Sequence, residues 1–174
     1  MKIKGLIPSI TLFDCIERNA EMLNRILPPE YTLLYIEEGA IRYTTKLLRY
    51  LNQPSNITSV KLKSYIGSQS KELKWINDIE CKGLYSTVLV VDDILDTGKT
   101  IKAVLEKLQS CENVKHVITS VMLYKQRIDL VPEIEPNYYA LKIPDVFVIG
   151  YGLDYNGRFR ELDEIAYIEE EEEV

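Results

Sequence analysis

The chain is expected to form an α/β fold: a doubly wound, mostly parallel sheet with helices on both faces and a small hood over the carboxyl ends of the strands. Three observations point there. Strand-like and helix-like segments alternate along most of the 174 residues, the order that builds parallel sheets from crossover units. Val88-Leu89-Val90-Val91 is apolar without alternation, as a strand covered on both faces should be. It ends in acids and in Thr97-Gly98-Lys99-Thr100, a turn that opens a helical pattern, and ligands of such sheets gather beyond the carboxyl ends of strands.

The elements follow in order. Thr11 or Asp14 offers a cap for a helix running to Leu27, with Ile16, Met22, Leu23, Ile26 and Leu27 near helical spacing and Pro28-Pro29 as the stop. Tyr31 to Ile36 reads as the first core strand. Ala40 to Leu51 reads as a helix ended by Asn52 to Ser55, and Thr58 to Ile66 alternates like a second strand. Gly67 to Asp78 is polar and poorly patterned, so a long mobile loop is expected there. The Val88 strand leads into a helix over Ile101 to Leu108, and Val114 to Tyr124 is the fourth core strand. Asn137 to Ile168, rich in aromatic residues and turns, reads as strands and loops laid over one end of the sheet. A single domain over 1–174 is expected, with a core over about 31–136, a hood over about 137–168 together with the N-terminal residues, and an acidic tail over 169–174.

Composition narrows the function classes. A hydrophobic content of 46% suits one globular domain with a substantial core. The net charge is −6, but five of those charges lie in Glu169 to Glu173, which leaves the body near neutral and gives no support to nucleic-acid binding. That glutamate run reads as a solvated, frayed terminus. Cys15, Cys81 and Cys111 show no paired metal or redox spacing, so reduced thiols in a cytoplasmic protein are expected. No stretch has membrane-spanning length, and no secretory signal precedes the first charges. His116 reads as structural, and Trp75 as an exposed aromatic rather than part of a lid.

The run from Val88 to Thr100 carries the chemistry. Unpaired N–H groups at the first helical turn, with the helix dipole, favour a phosphate dianion. Gly98 lets the backbone approach it, and Thr97 and Thr100 add hydroxyls. A Walker A loop would need glycine at position 93, where Asp stands, so a nucleotide triphosphatase is excluded. A ligand-free strand, acidic turn and helix cap is the plainer alternative. Against it, Asp92, Asp93 and Asp96 crowd one turn and repel one another unless a cation or hydroxyl groups face them. Glu37 to Gly39, Asp92 to Thr100 and the segment after Tyr124 all leave strand ends, and so are expected to share one cleft.

The run Val88 to Thr100 resembles the phosphoribosyl pyrophosphate signature of type I phosphoribosyltransferases. Lys125, Ser64-Tyr65 and the stretch Ile143 to Leu162 extend the likeness to hypoxanthine-guanine phosphoribosyltransferases, over about 31–168. The resemblance implies transfer of a phosphoribosyl group from phosphoribosyl pyrophosphate to N9 of a 6-oxopurine. It places Asp92 and Asp93 on the ribose hydroxyls, where they support the positive charge that develops on the sugar. Asp96 becomes the proton partner of purine N7, and Asp96 to Thr100, Lys99 mainly through its backbone, become the 5′-phosphate cradle. Lys125, a donor with no acceptor capacity, suits O6 and should reject adenine. Phe147 would stack on the purine, with the carbonyls of Val148 and Asp154 at its C2 edge. Mg2+ is implied, held near Asp154 and the pair Asp92 and Asp93. Arg160, Glu38 and Gly39 would meet pyrophosphate, Ser64 and Tyr65 would mark the base of a flexible loop, and a homodimer or homotetramer is expected.

One departure stands out. The family usually places a basic residue directly before the glycine of the pyrophosphate turn, whereas this chain has Glu37-Glu38-Gly39. Lys61, Lys63, Lys71 and Lys74 are candidates for compensating charge. A nucleotide-sensing regulator on the same fold, or a transferase for xanthine or adenine, are the alternative functions.

Overall fold

The computed structural model describes residues 2–66, 71–127 and 134–169. Its main sheet has six strands in the order β4-β3-β2-β5-β6-β7. Strands β2 (Thr32–Glu37), β3 (Asn56–Ile66), β5 (Thr87–Leu95), β6 (His116–Gln126) and β7 (Tyr138–Pro144) run parallel, and β4 (Lys71–Asn77) returns antiparallel along β3. A second, antiparallel sheet is built from β1 (Lys2–Ile7), β9 (Ile165–Glu169) and β8 (Val148–Ile149).

The period of two along each strand divides the core between the faces of the main sheet. Leu33, Leu89, Val91 and Met122 join Leu12, Ile16 and Leu23 of α1 (Ser9–Asn24) and Tyr43 and Leu47 of α2 (Ala40–Leu47) on one side. Leu34, Ile36, Val60, Val88, Val90 and Val121 meet Ile101, Val104 and Leu108 of α3 (Lys99–Gln109) on the other. Both faces are covered, which accounts for the unbroken apolar run of β5. Between α1, α2 and β6 lies a buried polar knot: Asn19 Nδ2 donates to the Tyr43 hydroxyl at 2.6 Å and to Ser120 Oγ at 2.8 Å. Burial pushes the Tyr43 phenol well above its ordinary range.

Several expectations are corrected. Helix α1 starts at Ser9, before Thr11 and Asp14, with the Pro8 carbonyl accepting the Leu12 N–H at 3.0 Å. Helix α2 ends at Leu47, and the rest of the expected helix continues as single turns closed by Tyr50 and Leu51 N–H on the Leu47 carbonyl. The expected mobile loop contains β4, in which Leu73 and Trp75 are half-buried while Lys74 and Ile76 are exposed. Residues 67–70 of that loop lie outside the described residues. Trp75 packs on the α3-side core rather than standing free. Strand β1 had no counterpart in the sequence reading, because Lys2 to Ile7 gains its pairing only from β9, far along the chain. Strand β7, expected in the hood, pairs with β6 in the main sheet. Glu169, assigned to the acidic tail, closes β9 and pairs with Lys4 at 2.5 Å, while 170–174 lie outside the described residues. Cys81 and Cys111, expected as thiols, form a disulfide with Cα atoms 5.3 Å apart. It joins the loop after β4 to the end of α3, a proximity that only the folded sheet creates.

Candidate active site

The carboxyl ends of β2, β5 and β6 meet beneath the hood. Strand β5 delivers Asp92, 6% exposed, and the half-buried Asp93, then gives way at Leu95 to the turn that starts α3. Gly98 sits at the N-cap with φ 80°, a left-handed conformation that costs glycine nothing. A cavity of about 270 Å³ opens there, lined by Asp92, Asp93, the run Asp96 to Thr100, and Gly39 and Glu37 across the cleft. The residues expected to cradle a phosphate therefore line one concavity at a helix N-terminus.

Burial raises the carboxyl pKa of both Asp92 and Asp93, and the charge of Asp93 raises Asp92 further. The pair closes locally on backbone, with Asp93 N–H donating to Asp92 Oδ1 at 2.9 Å and Ile94 N–H to Asp93 Oδ1 at 2.7 Å. Asp93 also explains Gly39: a Cβ there would stand 1.6 Å from Asp93 Oδ2. Gly152 of the hood leans on the same turn, since its own Cβ would lie 2.3 Å from the Gly39 carbonyl oxygen. The Glu37–Glu38 peptide beside them is cis.

The two acids of that turn are accounted for. Glu37 accepts from Ser59 Oγ at 2.6 Å. Glu38 pairs with Lys61 and lies 3.5 Å from Arg160 Nη2, and the Lys61 ammonium holds its carboxyl below the usual glutamate range. Arg160 in turn donates to Asp154 Oδ1 at 2.7 Å and to the Gly152 carbonyl at 2.6 Å. Asp154 also accepts the Gly157 N–H at 2.7 Å, so its carboxylate is engaged within the hood.

A second cavity, about 190 Å³, adjoins the first and shares Asp93, Ile94 and Asp96 with it. Its other walls are Lys125, Phe147, Val148, Leu153 and Asp154. Phe147 is 52% exposed, with its ring edge-on to Tyr155 at 5.7 Å, so it stands at a cavity mouth rather than in the core. Lys125 is 8% exposed and lies 3.4 Å from both Asp96 and Asp145. Arg127 bridges the same two acids, at 2.7 Å from Asp96 and 3.3 Å from Asp145.

Most of the residues singled out in sequence thus surround two connected cavities. Ser64 and Tyr65 lie in β3 as backbone partners of Leu73 and Glu72 of β4, and residues 67–70, where the expected loop would turn, lie outside the described residues. Among the described residues no three metal-ligating side chains converge, so Asp154 does not join Asp92 and Asp93 in one cluster. His116 begins β6, at the strand end opposite the cleft. Sequence reasoning passed over Arg127, Asp145 and Arg42. Arg42 ties the hood to α2 through the Arg160 and Leu162 carbonyls, at 3.0 and 2.7 Å. Asp145 stood in plain view within the Ile143 to Leu162 stretch, but nothing local marks an acid there as a partner of Lys125.

A cavity at a helix N-terminus thus follows the diacidic strand of an α/β sheet, and a second cavity adjoins it beneath the hood. Residues 15–156 match the family model described as the phosphoribosyl transferase domain, and the chain belongs to that family, in its hypoxanthine-guanine branch. It is 32% identical to hypoxanthine-guanine phosphoribosyltransferase of Cricetulus griseus, covering 96% of this chain and 81% of that one. It is also 32% identical to the hypoxanthine-guanine-xanthine phosphoribosyltransferase of Plasmodium falciparum, over 97% and 78%. A hypoxanthine phosphoribosyltransferase from Staphylococcus aureus superposes with a TM-score of 0.81 at 27% identity, over 95% and 91% of the two chains.

Proposed function

We propose that this enzyme transfers the 5-phosphoribosyl group from phosphoribosyl pyrophosphate to N9 of a 6-oxopurine, releasing pyrophosphate and the nucleoside monophosphate. One observation carries the reading: the cradle cavity and the Lys125–Phe147 cavity adjoin along Asp93, Ile94 and Asp96, so a phosphorylated ribose and a planar base fit side by side. The names of the relatives support the same chemistry.

The residues divide the work. Backbone and hydroxyl donors from Asp96 to Thr100 hold the 5′-phosphate, which fixes the anomeric carbon in front of the base. Asp92 and Asp93 take the ribose hydroxyls and face the positive charge that builds on the ring as the bond to pyrophosphate breaks. Asp96, on the shared wall, receives the N7 proton. Lys125 donates to O6, Phe147 stacks on the ring, and the Val148 and Asp154 carbonyls face the C2 edge. Arg160 and the backbone of Glu38 and Gly39 bind pyrophosphate oxygens.

Mg2+ fits this site. Asp92 and Asp93 are adjacent carboxylates, the first buried and the second half-buried, and each accepts a backbone N–H. They would hold the cation together with substrate oxygens, and it would neutralise charge on the leaving pyrophosphate. A homodimer or homotetramer in the cytoplasm is part of the same reading. Assays with hypoxanthine, guanine, xanthine and adenine, with Mg2+ and phosphoribosyl pyrophosphate, test it. Product from hypoxanthine and none from adenine is expected; product from adenine alone, or from no purine, would overturn the assignment.

A further inference from the structure

Lys125, Asp96, Arg127 and Asp145 form a closed square of alternating charge, and two of its corners, Arg127 and Asp145, have no part in the function described above. The sides are 3.4 Å from Lys125 to Asp96, 3.4 Å from Lys125 to Asp145, 2.7 Å from Arg127 to Asp96 and 3.3 Å from Arg127 to Asp145. Only Lys125 and Asp96 line the base cavity. The square is neutral as a whole, while its most enclosed member is the 8%-exposed Lys125.

An ammonium has three N–H donors, and a carboxylate has about four acceptor directions. Were Lys125 and Asp96 alone together, their 3.4 Å pair would tighten, and each would spend on the other the group the purine requires. Asp145, at the same 3.4 Å from the ammonium as Asp96, shares it, so the hydrogen bond from Lys125 to Asp96 stays long. The Arg127 guanidinium, with its fixed fork, occupies Asp96 Oδ1 and steadies the carboxylate. One ammonium proton is left for a purine carbonyl, and one carboxylate edge for a ring N–H.

We propose that Arg127 and Asp145 are positioning residues that share the charges of Lys125 and Asp96, hold their direct contact at its long distance, and so set purine selectivity and proton acceptance in this enzyme. The inference rests on the reading of the cavity as a 6-oxopurine site. It assigns the two residues separable effects: Asp145 acts on recognition through Lys125, and Arg127 on the proton step through Asp96.

Steady-state kinetics of the full chain with hypoxanthine and adenine test this, in wild type, Asp145→Asn, Arg127→Gln, Arg127→Lys and the double variant Asp145→Asn/Arg127→Gln. Asp145→Asn is expected to raise the KM for hypoxanthine about tenfold with a smaller change in kcat, and to narrow the preference over adenine. Arg127→Gln is expected to lower kcat about tenfold with KM little changed, with Arg127→Lys recovering part of the loss. The double variant removes one charge of each sign, so its loss should be smaller than the product of the single losses. Variants that match wild type in KM, kcat and base preference overturn the proposal while leaving the transferase reading intact. So does a uniform fall in activity that tracks a fall in melting temperature, with base preference unchanged. If Asp145→Asn does not fold, Asp145→Glu, which keeps the charge but displaces it, must still show the KM effect. A wild-type chain idle on all four purines overturns the underlying reading and this proposal with it.

Discussion

At the scale of single residues, the site is governed by carboxylates in unlike surroundings. Asp92 is buried beside Asp93, and both hold their protons more tightly in the folded protein than in the unfolded chain. The linkage has a definite sign: the folded state binds more protons, so stability falls as pH rises from the ordinary carboxylate range through the raised value. Asp92→Asn should therefore raise the melting temperature at neutral pH in metal-free buffer while abolishing most of the activity. A lower melting temperature by calorimetry would contradict this. Glu38 lies at the other extreme, exposed and held in its charged form by Lys61 and, more weakly, Arg160. Its carboxylate occupies cations that a pyrophosphate oxygen would otherwise meet. Glu38→Lys is expected to lower the constants for phosphoribosyl pyrophosphate and pyrophosphate several-fold, and unchanged constants would remove Glu38 from the account of pyrophosphate binding.

At the scale of elements, three segments are locked by contacts that leave no room for a side chain. The β2–α2 turn brings Gly39 against Asp93, and the hood brings Gly152 against the Gly39 carbonyl. Gly39 has φ −61°, which any residue adopts, so the need for glycine there is purely one of space. Gly39→Ala should leave the fold largely intact, at a cost of about 1–3 kcal/mol, because the far end of Asp93 can swing away. That swing removes Asp93 from the sugar, and kcat/KM should fall about 100-fold. Full activity with an unchanged melting temperature would show that the turn relaxes instead. The turn was legible as a site in sequence because glycine follows a strand end, but its crowding by Asp93 was not. Strand β4 teaches the same lesson: Leu73 and Trp75 alternate correctly, yet lysines and a glutamate on the same segment hid the pattern until β3 supplied a partner.

At the scale of the whole molecule, the hood and the main sheet are held together by Arg42 reaching the Arg160 and Leu162 carbonyls, and the α3 side of the sheet by the Cys81–Cys111 disulfide. Denatured without reductant, the chain should titrate a single thiol, Cys15, and reductant should then reveal three. A count of three before reduction would refute the crosslink. Closing a loop of 30 residues is worth about 3–4 kcal/mol on the chain-entropy account, so reductant should also lower the melting temperature.

The amino-acid sequence alone determined the α/β class and the acid-rich glycine turn at the start of α3, and its resemblance to the family singled out Lys125, Phe147, Val148 and Asp154, which line one cavity. These are properties of local order: an apolar run, then acids, then a glycine turn into a helix, followed by a motif in continuous register. The tertiary structure alone decided that β1 closes the hood, that β7 belongs to the main sheet, that two distant cysteines meet, and that Arg127 and Asp145 complete a square with Lys125 and Asp96. Each of these joins segments whose separation along the chain carries no local periodic signal, so the choice of partner is made by packing and charge balance across the folded sheet.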